Sequence, residues 1–444
     1  MDWPRRGRAA QGHVLPGQSG DTALPAPGRV SRILSLPVNL RQPGVGQNIA
    51  RTAGFNVAAT IAAGLGGILL ARAAGPTVRG EYAGITAWLN VAQMAGGMGQ
   101  PAALCFYVAR DPERGAAYAA TSRAMMLLTG ALVIAIGWMI APVLAHGDPD
   151  VTMGYRIMFG ATIVSFVGAS YTFSLQATDL IAWNVVRLSQ PVLGFAFIAA
   201  LWWLHLLTLD AVLLTLAVSM FLQLVWAYRC CRRVGLAPGR AQRRLLRPLA
   251  TYGVAQIAAL TPAALNAQLD QLVLSQTVPA ADLGRYAVAV SLTLVPIPLV
   301  AAIGNVAFPH LAAQRRVTSA TLRLQSMAIL SSGAIAAGML LPIAAVAPWL
   351  IPLVFGPGYR GAVPLLWLLT PGAIFLACGQ VVGDLLRGRN KPAVVAWSQG
   401  LAAVFTVVLL FVLLPVVGVA AASIASTVAY GIALGGMLHY LRKI

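Results

Sequence analysis

Apolar runs of about 20 residues, almost free of charge, recur from residue 52 to residue 440, and nothing constrains this chain more. Each run is long enough to cross the roughly 30 Å hydrocarbon layer as a helix. A large soluble core would break such runs with surface residues. Here only 10% of residues are charged and 58% are hydrophobic, against about 25% charged in a soluble domain. Inside lipid every backbone N–H and C=O needs an internal partner, and helices supply it. The pattern therefore predicts an all-α integral membrane protein. Twelve helices are predicted, over 52–74, 83–108, 122–143, 155–177, 182–204, 209–228, 250–277, 286–309, 324–346, 363–386, 392–414 and 418–440.

Basic charge orients these spans. An even number puts both termini on one side. That side receives Arg5, Arg6, Arg8, Arg29, Arg32, Arg41 and Arg51, then Arg110, Arg114 and Arg123. It also receives Arg229, Arg232, Arg233, Arg240, Arg243, Arg244 and Arg247, then Arg315, Arg316, Arg323, Arg387, Arg389, Lys391, Arg442 and Lys443. The other side keeps Arg72, Arg79, Arg156, Arg285 and Arg360. The positive-inside rule then predicts N-in and C-in, a multi-pass protein of the cell inner (cytoplasmic) membrane. The net charge of +19 is thereby explained as topology and as contact with anionic membrane lipids, with no nucleic-acid partner required. Lys391 and Lys443 are the only lysines, an arginine bias that suits a high-GC bacterial genome.

Four domains follow. Residues 1–48, rich in Pro, Gly, Arg and Gln, read as a disordered basic cytoplasmic tail. Residues 49–228 form a first six-helix bundle, 229–249 a basic cytoplasmic linker and 250–444 a second six-helix bundle. "GEYA" at 80–83 recurs as "GRYA" at 284–287, an offset of 204 residues. An internal repeat of this kind predicts two bundles related by a pseudo-twofold axis along the membrane normal, with a cavity between them. Gly80 and Gly284 are expected at tight reversals before a helix. Tyr82 and Tyr286 are expected in the interfacial aromatic belt.

Several stretches resemble a known family. "ILLARAAGPTVRGEYAGITAW" resembles the first external turn of the oligosaccharide flippases of polysaccharide biosynthesis. "LDQLVLSQTVPAADLGRYAVA" resembles the equivalent turn of their second half, "LIPLVFGPGYRGAVPLLWLLTPG" the turn before the tenth helix, and "RGRNKPAVVAWSQGLAAVFTVVLLFVLLPVVGVAAASIAS" the last two helices. The superfamily also holds multidrug and toxin extruders and lipid II flippases. The resemblance implies movement of lipid-linked (polyprenyl-pyrophosphate) oligosaccharide units to the outer leaflet by alternating access. It also implies a polar, often cationic cavity and drive from a coupling ion (H+ or Na+) or the membrane potential.

No Walker motif, metal spacing or nucleophile triad is present, so the sequence reads as a transporter without a cofactor, not an enzyme. The facilitator pattern Gly-x-x-x-Asp-Arg-x-x-Arg-Arg is absent from the second-to-third loop, "YVARDPERGAAY". An ion-coupled drug exporter of the same superfamily, and a membrane scaffold for other polysaccharide assembly proteins, remain as alternatives.

Polar residues within the spans are the candidate cavity residues, because the bilayer penalises them. They are Arg51, Asn56, Arg72, Asn90, Gln93, Arg187, Asn266 and Asp270. Asp270 reads either as a proton, ion or sugar contact or as a structural pair, with Asn266 on the same helix face. Arg72 reads as a phosphate ligand or as a side chain snorkelling to the interface. Arg187 reads as a substrate contact or as a partner of Asp179. Asp384 and Arg387 read as a local pair. Pro262, two turns before Asp270, marks the seventh helix as the moving element. Cys105, Cys230, Cys231 and Cys378 form no metal spacing and no disulfide ladder, and the adjacent Cys230 and Cys231 read as ordinary reduced thiols.

Overall fold

The computed structural model describes residues 45–301, 303, 319–389 and 391–443. Residues 1–44 of the predicted tail, with Arg5, Arg6, Arg8, Arg29, Arg32 and Arg41, lie outside the described residues, as do Arg315 and Arg316. The described chain is helical, with no strand among the described residues. Among the described residues, thirteen helices of nine or more residues follow one another. They are α1 (Val45–Gly96), α2 (Gln100–Arg110), α3 (Gly115–Leu144), α4 (Pro149–Thr178), α5 (Leu180–Trp203), α6 (Leu209–Arg233) and α7 (Arg243–Asn266). There follow α8 (Leu269–Thr277), α9 (Ala280–Thr293), α10 (Ser319–Phe355), α11 (Ala362–Gly388), α12 (Pro392–Val417) and α13 (Ala420–Lys443). Nine helical segments among the described residues are long and apolar enough to cross a membrane.

Local chemistry places the ends. Asp148 caps α4 by accepting from the N–H groups of Asp150 and Val151 at 2.9 and 3.1 Å. Asp179 caps α5 at Ile181 and Ala182, and Thr208 caps α6 at Ala211. Each cap satisfies N–H groups that the helix itself leaves without partners. The segment between α6 and α7 is tied to α3: Arg123 Nη2 donates to the Ala237 carbonyl, and the Gln242 N–H donates to Thr121 Oγ1 at 3.0 Å.

The repeated motif is placed differently from the expectation. The first reversal is at Gly75, with φ +80°, followed by Pro76. The second is at Val278–Pro279, 204 residues on from the first. Gly supplies the left-handed φ and Pro opens the next helix, so these residues make the turn. Gly80 and Gly284 instead lie inside helices, where the two repeats cross. A Cβ on Gly80 would fall 1.7 Å from the Ala280 carbonyl oxygen, and one on Gly284 2.0 Å from that of Pro76. The glycines are required by backbone contact between the halves, not by a turn. Tyr286 is also not interfacial: it is fully buried.

Three spans that the hydropathy pattern draws as continuous are interrupted. The second breaks at Gly97–Gly99, between α1 and α2. The seventh breaks at Ala267–Gln268, between α7 and α8, five residues after Pro262. Pro296 and Pro298 sit where the helix beyond α9 is broken by a turn at 294–296. In each half the apolar core divides into two clusters, one toward each end. Leu104, Leu175, Cys231 and Leu249 belong to one cluster of the first half, and Ile85, Met158 and Leu213 to the other. In the second half, Val381, Leu385 and Met437 lie in one cluster and Tyr286, Ile351 and Leu366 in the other. Ala71 and Ala83 of the first half join this last cluster, so the halves meet at this end; they touch again where α2 meets α7, since a Cβ on Gly99 would fall 2.2 Å from the Gly253 carbonyl oxygen.

Candidate functional site

The meeting end is latched. Arg72 Nη1 donates to the carbonyls of Leu353 and Val354 in the last turn of α10. A cation at a helix C-terminus satisfies orphan carbonyls and opposes the helix dipole. The Tyr359 hydroxyl donates to the Ala71 carbonyl at 3.0 Å. Trp88 Nε1 donates to Ser275 Oγ at 3.2 Å, and Gln276 Nε2 to the Leu144 carbonyl at 3.2 Å. Among the described residues, the hydrogen bonds joining residues 45–233 to residues 269–443 all lie toward this end, while Gln100 and Tyr107 of α2 donate to the Leu249 and Pro248 carbonyls of α7 at the other. Arg72 is thus placed as a helix cap, a role absent from both sequence readings.

In the first half a cavity of about 250 Å³ is lined by Gln93, Thr172, Arg187 and Gln223 among apolar neighbours such as Phe166 and Phe173. Arg187 lies on α5. Its Nη1 donates to Asn56 Oδ1 at 3.4 Å, and its guanidinium stacks 4.4 Å from the Trp183 ring. The expected Asp179 partner is used elsewhere, as the cap of α5. Arg187 therefore presents its charge without a carboxylate within 4 Å among the described residues. Two further features make the site polar. Pro191 lies four residues on and has no N–H to offer the Arg187 carbonyl. Gln223 is held by a 3.0 Å bond from its Nε2 to the Val186 carbonyl. The break at Gly97–Gly99 brings Gly97 and Pro101 into the wall.

The structure thus brings together three of the sequence candidates, Gln93, Arg187 and Asn56. Asn90, one turn before Gln93, is exposed and outside that lining, and Arg51 is exposed near the start of α1. Gln223 is an addition that the sequence reading missed, because a lone Gln in an apolar run carries no spacing signal. Buried Gln100 is a second such addition: it accepts from Ser122 Oγ at 2.9 Å, fixing α2 against α3.

In the second half, Asn266 and Asp270 are each only 4% exposed, but face different partners. Asn266 donates to Gln399 Oε1 at 3.3 Å and accepts from Thr406 Oγ1 at 3.0 Å, both on α12. Asp270 accepts from the Tyr286 hydroxyl, from the Gln271 N–H at 2.7 Å and from Ser426 Oγ at 3.4 Å. The interruption at Ala267–Gln268 turns the two residues apart. Asp270 is a buried carboxyl satisfied by neutral donors, with no ion pair to it among the described residues. Asp384 and Arg387 do pair, at 2.9 Å.

Comparisons with known proteins agree with this architecture. A family model described as polysaccharide biosynthesis protein matches residues 45–315, more than half of the chain. A search of curated proteins found no match. Among solved structures, an inward-facing multidrug resistance transporter of the MATE family, in the MOP superfamily, superposes with TM-score 0.72 at 13% identity, covering 86% of this chain and 94% of that one. The lipid II flippase MurJ in an inward closed conformation gives 0.73 at 10% identity, covering 87% of each chain. An outward-facing MATE family transporter gives a lower score, 0.61 at 13% identity, over 89% of this chain and 95% of that one. At these identities the likeness is one of fold.

Proposed function

Because the chain belongs to the polysaccharide biosynthesis protein family, we propose that it is a flippase for lipid-linked oligosaccharides. It translocates polyprenyl-pyrophosphate-linked units across the cytoplasmic membrane by alternating access, for surface polysaccharide assembly. The observation that carries this reading is the cationic, amide-lined cavity at Arg187, Gln93 and Gln223. Guanidinium groups suit phosphoryl oxygens, and amides suit sugar hydroxyls. The transport frame is a pair of six-helix bundles, twelve crossings in all, N-in and C-in. The two limbs of α1 account for two crossings, and α7 with α8 for one. On that topology the Gly80–Gly284 crossing closes the outer side, and the Gly99–Gly253 contact is the second point where the halves touch. Asp270 is the group offered for H+ or Na+ coupling. Its position behind the break at Ala267–Gln268 links its occupancy to the movement of α7.

The test is a deletion strain. Lipid extracts are analysed by mass spectrometry beside the surface polysaccharide. Accumulated intact lipid-linked units with lost surface polymer support flipping. Unchanged lipids and polymer, with no redundant homologue, sink it. Asp270 favours one competing reading: a buried carboxyl suits an exporter of small cations within the same superfamily. Export of cationic dyes by the wild type, lost in Asp270→Asn, would move the assignment there.

A further inference from the structure

Arg79 has no role in the transport cavity, and its surroundings are unusual. It lies in the second limb of α1, one turn after Pro76. Its Nε is buried and donates to nothing. The described ion pairs do not include it. The Tyr82 ring lies 5.6 Å from its guanidinium. A half-buried cation near the end of a span, with its Nε shut away from water and an aromatic face beside it, is costly unless an anion completes it.

Beside it is a cavity of about 290 Å³ between α1 and α5, lined by Gly66, Gly67, Tyr82, Gln190 and Gly194 as well as Arg79. The glycines keep it open: a Cβ on Gly67 or Gly194 would meet no atom within 4 Å. Next in sequence to lining residues Ala62, Gly66 and Pro191 stand exposed apolar side chains, Ile61 (58% exposed), Leu65 (46%) and Val192 (44%). In a membrane protein such residues face acyl chains, so this cavity is approached from lipid. The second half has no counterpart, because Leu283 stands 204 residues on from Arg79.

We propose that this groove binds the phosphoryl headgroup of a membrane lipid, with Arg79 on the phosphate and the chain lying between α1 and α5. Phosphate oxygens satisfy the orphan donor and the charge together. A basic pocket between membrane helices is a known physical solution for anionic headgroups. The inference does not rest on the transport reading.

Native mass spectrometry of the full chain in detergent tests it. The probes are phosphatidylglycerol, phosphatidylcholine, a polyprenyl phosphate and inorganic phosphate. The wild type should retain an anionic lipid in preference to phosphatidylcholine. Arg79→Gln should lower that retention roughly tenfold, the worth of one charge-assisted hydrogen bond. Arg79→Lys should restore part of it. Gly67→Leu, which fills the groove and leaves the charge, should lower it similarly. Retention of the polyprenyl phosphate alone assigns the groove to a carrier lipid, and retention of phosphatidylglycerol assigns it to the bilayer; either supports the site. Wild-type retention in both Arg79→Gln and Gly67→Leu overturns it, as does equal binding of free inorganic phosphate. Should Arg79→Gln fail to fold, Gly67→Leu decides alone, since its Cβ enters open space.

Discussion

The two halves use one repeated backbone for unlike chemistry. Gly80 and Gly284 do the same thing: each removes a Cβ that would strike the other half's backbone. Two residues later the halves diverge. Tyr286 is buried and donates to Asp270, whereas Tyr82 lines an open groove. The reason lies 204 residues before Asp270, where the chain has Gly66. A carboxyl fills the space in the second half, and a glycine empties it in the first. A duplicated packing contact is kept where two backbones touch. Side chains that face the interior of one bundle are free to become a hydrogen-bonded lock in one half and a cavity in the other.

Substitutions at equivalent positions should separate shared from divergent roles. The largest effect is expected at the crossing. Gly80→Ala or Gly284→Ala places a methyl against backbone and should cost roughly 1–3 kcal/mol of closure, enough to slow transport about tenfold or more. Gly67→Ala, in open space, should stay within about 0.5 kcal/mol in thermal unfolding. Equal effects at Gly80 and Gly67 would remove the crossing from the account. Next comes the tyrosine pair. Tyr286→Phe strips a donor from a buried carboxyl and should lose about 1–3 kcal/mol of stability in detergent, while Tyr82→Phe should lose little. On the proposed function, Arg187→Ala should lower flipping about tenfold at near-normal stability, because a phosphoryl group would lose its charge-assisted contact. Arg51→Ala, outside the cavity, should keep wild-type rates. The smallest effect is expected at the latch: Arg72→Ala removes one helix-end cation, worth about 0.3–1 kcal/mol, read as faster modification of a cysteine placed at Ser275.

Hydropathy made the helical membrane class legible, because twenty-residue runs leave the backbone no other way to satisfy itself. It did not reveal the breaks at Gly97–Gly99 and Ala267–Gln268, since interruption by Gly or a single polar residue barely changes a window average. The repeat was legible as a tetrapeptide and misread as a turn. Helix-breaking glycine and helix-crossing glycine are the same letter, and Pro76 and Pro279 were the better turn signals. Arg187 with Asn56 was recoverable in type but not in pairing: they lie 131 residues apart, and no sequence period links them. Asp179, which sequence proximity offered to Arg187, was already committed to backbone N–H groups. Asp270 was visible as a charge out of place, but its partners Tyr286 and Ser426 come from two other helices.

The most direct measurement is flipping itself, in proteoliposomes that carry the purified chain and a fluorescent polyprenyl-pyrophosphate oligosaccharide. Exposure of the sugar on the far leaflet is read with a membrane-impermeant enzyme or quencher. The account predicts exchange well above protein-free vesicles, retained in Arg51→Ala and reduced about tenfold in Arg187→Ala. Exchange no faster than in empty vesicles, with the protein folded and the Gly80 crossing intact by cross-linking, would contradict it.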